Sequence, residues 1–390
     1  MGAMVETVGE LDRVMSDAVA RGDAPFLVAA VCNRDEILWQ GSAGRDRGPR
    51  LAGQHTVFRI FSMTKAVGSL AAVMLVDRGV VSMDTPVASM VPEFGTLGVL
   101  ERIGAHGSVL RAPRSPVTLG HLLTHTSGLA YGTYNSKQKL YQEVSGLPPA
   151  LSGRFESLRS PLVFDPGDGF AYGIGLDWVG RVIEAVDGRS VDAFCREEIF
   201  EPLGMSATYF EPDSHDVEIS ELWNRVGQTE FERYEMNPAV RPEFYGLGGS
   251  LYSTAADYLR FLRLIINDGV LAGHRIVGPG AMRLLRENQL GKIDVVPQVS
   301  TVARSADIDP FPGVEKTHTA GFMRLDGDVP GMRRPGSLFW AGTANTHYWV
   351  DPGSGLAAVF MTQLVPFGDG PFMTAYAEFE RAVYDAFGSA

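Results

Sequence analysis

Residues 61–65 read Phe-Ser-Met-Thr-Lys, which sets Ser62 and Lys65 three positions apart at the entrance of a helix-forming run. A serine hydroxyl attacks well only when a neighbour takes its proton. Positions i and i+3 of a helix share a face, so the Lys65 amine is expected to reach the Ser62 oxygen. The run behind it, 66–76, is mostly apolar and predicts a buried helix ending near Gly79. Ser62 then lies at the positive end of that helix, where the field favours a developing alkoxide and opposes a protonated lysine. This makes Ser62 the candidate nucleophile and Lys65 the candidate proton acceptor. Alone, the tetrad fits a capping serine beside a surface lysine better than a catalytic pair.

Other residues could complete the chemistry. Tyr172 follows the turn-rich stretch Phe164-Asp165-Pro166-Gly167-Asp168-Gly169 and precedes a helical pattern, so it can project into a cleft, although by itself it reads more simply as a core tyrosine. A phenolate, or a phenol relaying a proton to lysine, serves as a base when a cation lowers its pKa. Leu338-Phe339-Trp340-Ala341-Gly342-Thr343 reads as a strand ending in small residues, which permits close backbone approach to a ligand. An N–H there, with that of Ser62, could form an oxyanion hole. His121 and His125 have the i,i+4 spacing of a zinc helix, but no glutamate follows His121, so a structural pair is the reading and no metal is expected. No phosphate-binding glycine string and no G-x-S-x-G elbow occur.

The elements that must position these groups follow from periodicity. Apolar residues between Val5 and Val19 recur at helical spacing. Segments 26–32 and 37–43 flank a polar turn and predict a hairpin. Residues 88–240 carry short helical patterns broken by Pro and Gly, with few strand signals; helices are expected at 119–125, 176–185 and 191–200. A helix is expected at 255–268, strands at 321–325, 337–340, 347–350 and 357–364, and a closing helix at 371–387. The expected fold is α+β: one antiparallel sheet built from both termini and flanked by the terminal helices (1–87 and 241–390), with an inserted, mostly helical domain (88–240) and Ser62 on the floor of the cleft between them.

Composition narrows the partners. The chain has 390 residues, 45% of them hydrophobic, and a net charge of −12. No basic stripe exists to neutralise phosphates, so nucleic acid is not an expected partner. No apolar run is long enough to span a bilayer. Cys32 and Cys195 show no ligand or disulfide spacing, and no secretory leader is visible, so a cytoplasmic protein with two reduced core thiols is expected. The oligomeric state is not legible.

The ordered set Phe61-Ser62-Met63-Thr64-Lys65, His121-Leu122-Leu123-Thr124-His125-Thr126-Ser127-Gly128-Leu129, Tyr172 with its helix, Pro202-Leu203-Gly204-Met205 and Gly248-Gly249-Ser250-Leu251-Tyr252-Ser253-Thr254 resembles the class C β-lactamase-like serine hydrolases, a β-lactamase/penicillin-binding-protein-like fold, across about residues 5–387. Within that family it is most similar to the family VIII carboxylesterases. The resemblance implies that Ser62 forms an acyl-enzyme, that Lys65 and Tyr172 act together as base and then acid, and that the N–H groups of Ser62 and Thr343 hold the oxyanion. It also implies a pocket lined by Tyr131, with Phe61, Trp340, Ala341 and Gly342 expected against the substrate, and no cofactor.

Two departures bear on specificity. The lactamase Tyr-x-Asn reads Tyr172-Gly173-Ile174, and the Lys-Thr-Gly position reads Trp340-Ala341-Gly342. Both changes remove polar recognition and leave an apolar wall without a cation for a carboxylate. His318-Thr319-Ala320-Gly321 is a rival third motif, expected on an adjacent strand. The expected activity is hydrolysis of small neutral esters, with short acyl groups and acyl transfer as a close variant. The alternatives are a β-lactamase or D-amino-acid peptidase and, from another class, a non-catalytic sensor or scaffold with a retained pocket.

Overall fold

Phe26–Cys32 is apolar at every position and buried at every position, the mark of a strand covered on both faces. In the computed structural model, which describes residues 2–104, 107–212 and 218–388, this strand lies inside an eight-stranded sheet. Helix α1 (Gly2–Arg21) leads into β1 (Phe26–Cys32), β2 (Ile37–Arg47) and β3 (Arg50–Leu51). Helices α2 (Thr64–Asp77), α3 (Gly175–Asp187), α4 (Ala255–Ile266) and α5 (Pro279–Arg286) follow. The remaining strands are β4 (Lys316–His318), β5 (Met323–Leu325), β6 (Leu338–Gly342), β7 (Thr346–Asp351) and β8 (Leu356–Met361), and α6 (Gly370–Phe387) closes the chain. The sheet order is β4-β5-β6-β7-β8-β1-β2-β3, with antiparallel neighbours. The N-terminal hairpin is thus stitched to the C-terminal strands through β1 and β8, as Val28 opposite Met361 and Ala30 opposite Val359 show.

The period-two alternation of a strand sorts side chains between two cores. Leu27, Ala29 and Val31 face Leu11, Met15 and Ala18 of α1 and Phe372, Phe379 and Val383 of α6. Phe26, Val28 and Ala30 face the other way, toward Val67, Leu70 and Ala71 of α2 and Leu262 and Ile266 of α4. Residues 64–75 of α2 are all buried, which is why its sequence lacks a polar stripe. Helix α3 continues this second core through Leu176, Val179, Val182 and Ile183.

The structure departs from the sequence expectations in three places. The stretch 88–240 contains more strand than expected. Val99–Gly104 and Gly107–Arg111 form a hairpin, and Trp223–Arg225 pairs with Phe231–Arg233 and, in parallel, with Leu364–Val365. The strands within 88–240 are short and mostly half-buried or exposed, so their composition lacks a sustained apolar alternation. The helix expected over 191–200 is α-helical only at Val191–Cys195 and continues as a π turn at Arg196–Phe200. His318 is on β4, two strands from β6 rather than on its neighbour, because the short β5 lies between them.

Residues 291–314, between α5 and β4, hold only isolated bridges and run as a strap across the cleft. On the helical side, the Thr301 N–H donates to the Thr133 carbonyl at 2.8 Å and the Tyr134 hydroxyl meets Ser305 Oγ at 2.7 Å. On the sheet side, Ala306 N–H donates to the Phe367 carbonyl at 2.8 Å.

Candidate active site

The chain enters α2 through a 3-10 turn at Phe61–Met63, so Ser62 precedes the first α-helical residue, Thr64. Phe61 has φ +42°. A bulky residue pays strain in the left-handed region and holds it only where the surroundings over-determine it. Here the strained residue presents the neighbouring hydroxyl at the base of a cavity.

Lys65 is buried, and its Nζ lies 3.2 Å from Ser62 Oγ, 3.0 Å from the Tyr131 hydroxyl and 2.6 Å from the Gly248 carbonyl oxygen. The carbonyl can only accept, whereas the two hydroxyls can donate or accept. An ammonium can donate to all three; a neutral amine donates to Gly248 O and the Tyr131 hydroxyl and accepts the Ser62 proton. Burial pushes the Lys65 ammonium well below its ordinary range, and the carboxylate of Asp177 opposes that shift. Asp177 is itself buried, pushed above the usual carboxylate range by desolvation and pulled back by Lys65 and by the Gly248 N–H, which donates to its Oδ1 at 2.7 Å.

Tyr172 comes from a separate, extended segment. Its N–H donates to Gln298 Oε1 of the strap at 3.1 Å, and its carbonyl accepts from Tyr131 N–H at 3.0 Å. The ring lies 4.8 Å from Lys65 Nζ. Its hydroxyl accepts from the Trp340 indole N–H at 3.1 Å and lies beside Ser62, which acts to lower the phenol's pKa. Burial raises that pKa more than these neighbours lower it, so at neutral pH Tyr172 is a phenol and not a resting phenolate. Of the two readings of this residue, the proton relay fits the environment.

The β6–β7 turn faces Ser62. Neither the Ser62 nor the Thr343 N–H has a backbone carbonyl partner among the described residues, and both residues border the cavity. Gly342 does not face that cavity: a Cβ there would lie 2.3 Å from the Ile60 carbonyl oxygen. It lets the turn close on the nucleophile's own segment. Gly248 acts likewise, since a Cβ would come within 2.7 Å of Asp177 Oδ1 and 2.9 Å of the Tyr131 hydroxyl.

The cavity has a volume of about 490 Å³ and is bordered by Phe61, Tyr131, Ile174, Trp340 and Ala341 among others, a size typical of small-molecule sites. The sequence-predicted residues thus converge except Gly342, which was expected against the substrate and instead packs on Ile60. Tyr131 is closer to the chemistry than expected, bonded directly to Lys65. Sequence reading missed Asp177 and the Gly248 carbonyl. An acidic residue in a helix's first turn reads as a dipole partner, and a backbone acceptor has no side-chain signature. His121 and His125 act separately: His121 Nδ1 accepts the Thr118 N–H at 3.1 Å, while the His125 ring packs on Tyr172 at 5.0 Å and His318 at 5.3 Å.

Residues 11–382 match the family model described as Beta-lactamase. The chain belongs to the Beta-lactamase family. It is a serine hydrolase. It is 30% identical over 329 residues to acyltransferase calJ of Penicillium decumbens, covering 81% of this chain and 78% of that protein. It is 29% identical over 404 residues to esterase EstB of Burkholderia gladioli, covering 96% and 94%. The fold is that of simvastatin synthase from Aspergillus terreus, with a TM-score of 0.84 at 22% identity, covering 99% of this chain and 98% of that one.

Proposed function

We propose that this protein is a serine carboxylesterase acting on small-molecule neutral esters through an acyl-enzyme on Ser62. Lys65 takes the Ser62 proton as Oγ attacks the ester carbonyl. The carbonyl oxygen, now negative, is held by the N–H groups of Ser62 and Thr343. The Tyr172 phenol, beside Ser62 and near Lys65, passes a proton to the departing alkoxide and is reprotonated from Lys65. Water then attacks the acyl carbon by the same route in reverse and frees Ser62.

The observation that carries this reading is the convergence of Lys65 Nζ, at 3.2 Å, and the Tyr172 hydroxyl on one serine oxygen. The neutral-ester preference rests on what surrounds that point. Trp340 offers an indole N–H, already used by Tyr172, and Ile174 offers no amide. Neither supplies the charge that a lactam or peptide carboxylate needs. Acyl transfer is the second reading, favoured by the likeness to an acyltransferase over most of both chains; an alcohol would replace water in the second step. The free, buried Cys32 and Cys195 support a cytoplasmic setting. We place the domain division at 1–87 with 241–390 and at 88–240.

The test compares turnover of p-nitrophenyl butyrate with that of a chromogenic cephalosporin, with and without added alcohol. Ester turnover far above lactam turnover is expected. The reverse order would replace the reading by a lactamase.

A further inference from the structure

The cavity that holds Ser62 does not end at the catalytic residues. Strand β5 pairs with β6 only at Leu338 and Phe339, so the outer edge of 340–342 carries no strand partner among the described residues. The cavity is bordered by strap residues 308–311 and by Met373, Tyr376 and Ala377 of α6, so it extends to the α6 face of the sheet. There it is bordered by Phe311, Phe339, Phe367, Met373, Tyr376 and Ala377.

Two polar side chains in the wall of this aromatic chamber each have one buried atom without a partner. Arg333 is 1% exposed and His347 6%. Arg333 Nε and Nη2 bond to Glu380 at 2.7 and 2.6 Å, but Nη1 is buried with no hydrogen-bond partner, and so is His347 Nε2. Both groups pack on Tyr376, with His347 at 4.7 Å between ring centroids and the guanidinium carbon 5.9 Å from the ring. Buried polar atoms in folded proteins are almost always satisfied; both orphans belong to residues that border one cavity but carry almost no accessible surface themselves, so a partner reaches them only as the Arg333 and His347 side chains turn toward the cavity.

Chemistry selects the partner. Glu380 already neutralises Arg333, so the two orphan atoms bring no spare positive charge for a carboxylate; Arg304, which also borders the cavity, is an exposed residue. Burial, and then Arg333, push the His347 imidazole down to about 3, so it is neutral. A neutral ring nitrogen donates or accepts according to tautomer. A hydroxyl can accept from Arg333 and pair with either tautomer of His347.

Resting on the esterase reading, we propose that this chamber binds a hydroxyl at the far end of the substrate's longer arm, between Arg333 Nη1 and His347 Nε2. The chamber is then a specificity subsite for hydroxylated esters, separate from the acyl-transfer machinery.

The test uses two substrate pairs: p-nitrophenyl octanoate against its terminally hydroxylated counterpart, and octyl butyrate against the monobutyrate of octanediol. The first pair probes the acyl arm and the second the alcohol arm. In the wild type, kcat/KM for the hydroxylated member is expected to equal or exceed that of the plain one in one pair. His347→Phe should lower this ratio about tenfold, the scale of one lost buried hydrogen bond, and His347→Gln should restore most of it. Ala377→Phe, which fills the chamber from a partly exposed helix position, should slow the long esters of that pair about tenfold. All three variants should leave p-nitrophenyl butyrate turnover within about twofold of wild type.

An unchanged ratio in both pairs for His347→Phe, with an unchanged melting temperature, would overturn the proposal and assign the orphans to trapped water. If His347→Phe does not fold, Ala377→Phe decides, and long-ester rates equal to wild type overturn it. If the wild type hydrolyses no ester, the esterase reading fails on its own. Calorimetry of octanediol against octanol on Ser62→Ala then decides the chamber, with tighter diol binding expected and equal or weaker binding contradicting it.

Discussion

At Lys65 the balance between a buried amine and a buried carboxylate sets the protonation state on which the proposed chemistry depends. Desolvation pushes the ammonium down, and Asp177 pushes it back up. If neutral Lys65 is the base, kcat/KM rises with pH as that proton leaves, with the inflection well below the ordinary lysine range. Asp177→Asn keeps an acceptor for the Gly248 N–H but removes the charge that stabilises the ammonium. The acidic limb of the pH–rate profile should therefore move to lower pH. A limb that stays in place would assign it to another group. Tyr172→Phe removes the relay but keeps the ring, and should lower kcat on butyrate esters by roughly a hundredfold or more with little change in KM. A variant of near wild-type kcat would show that Lys65 works without the phenol. At this scale the sequence was informative where chemistry lives in side chains. The Ser62–Lys65 spacing foretold their contact, whereas Tyr172, by itself a plain core tyrosine, stood out only beside the other ordered motifs. The bond between Lys65 and the Gly248 carbonyl was not legible, because any residue type carries that oxygen.

Among the elements, the β6–β7 turn and the α2 entrance are fitted to each other through Gly342. A Cβ at that position would lie 2.3 Å from Ile60 O and 2.4 Å from Thr346 Oγ1, and backbone cannot step aside as a flexible side-chain tip can. Gly342→Ala should shift the turn, misplace the Thr343 N–H and lower kcat by roughly tenfold to a thousandfold. Thermal melting should also fall. Wild-type kcat together with lowered melting would mean that the turn matters for packing alone. The strongly patterned elements were legible: β1 with β2, α2, α4 and α6 all lie close to their expected spans. The hairpin within 99–111 and the strap 291–314 were not. Their residues are exposed or irregular, and what fixes them is pairing with distant segments, such as Ser305 with Phe367.

On the scale of the whole molecule, the sheet depends on joining chain ends through β1 and β8, and one buried ion pair helps hold α6 against it. Arg333 is 1% exposed and Glu380 fully buried, and the guanidinium carbon lies 5.0 Å from each of the Phe311, Phe339 and Trp349 rings. Removing one partner of such a pair leaves an uncompensated charge, so Glu380→Gln should destabilise the fold by about 3 kcal/mol in urea unfolding. A change below about 0.5 kcal/mol would show that the aromatic faces and Tyr376 suffice. The pair was invisible in the sequence, since Arg333 and Glu380 are 47 positions apart. The overall architecture was legible because five ordered motifs carry it together, although each is weak by itself. The central claim is that one serine carries the acyl group. Acid quenching during turnover of p-nitrophenyl butyrate, followed by mass analysis of the intact protein and its peptides, tests it most directly. A single butyryl group on Ser62, absent from an inactive Ser62→Ala protein, is predicted. An acyl group on another residue, or undiminished turnover by Ser62→Ala, would contradict it.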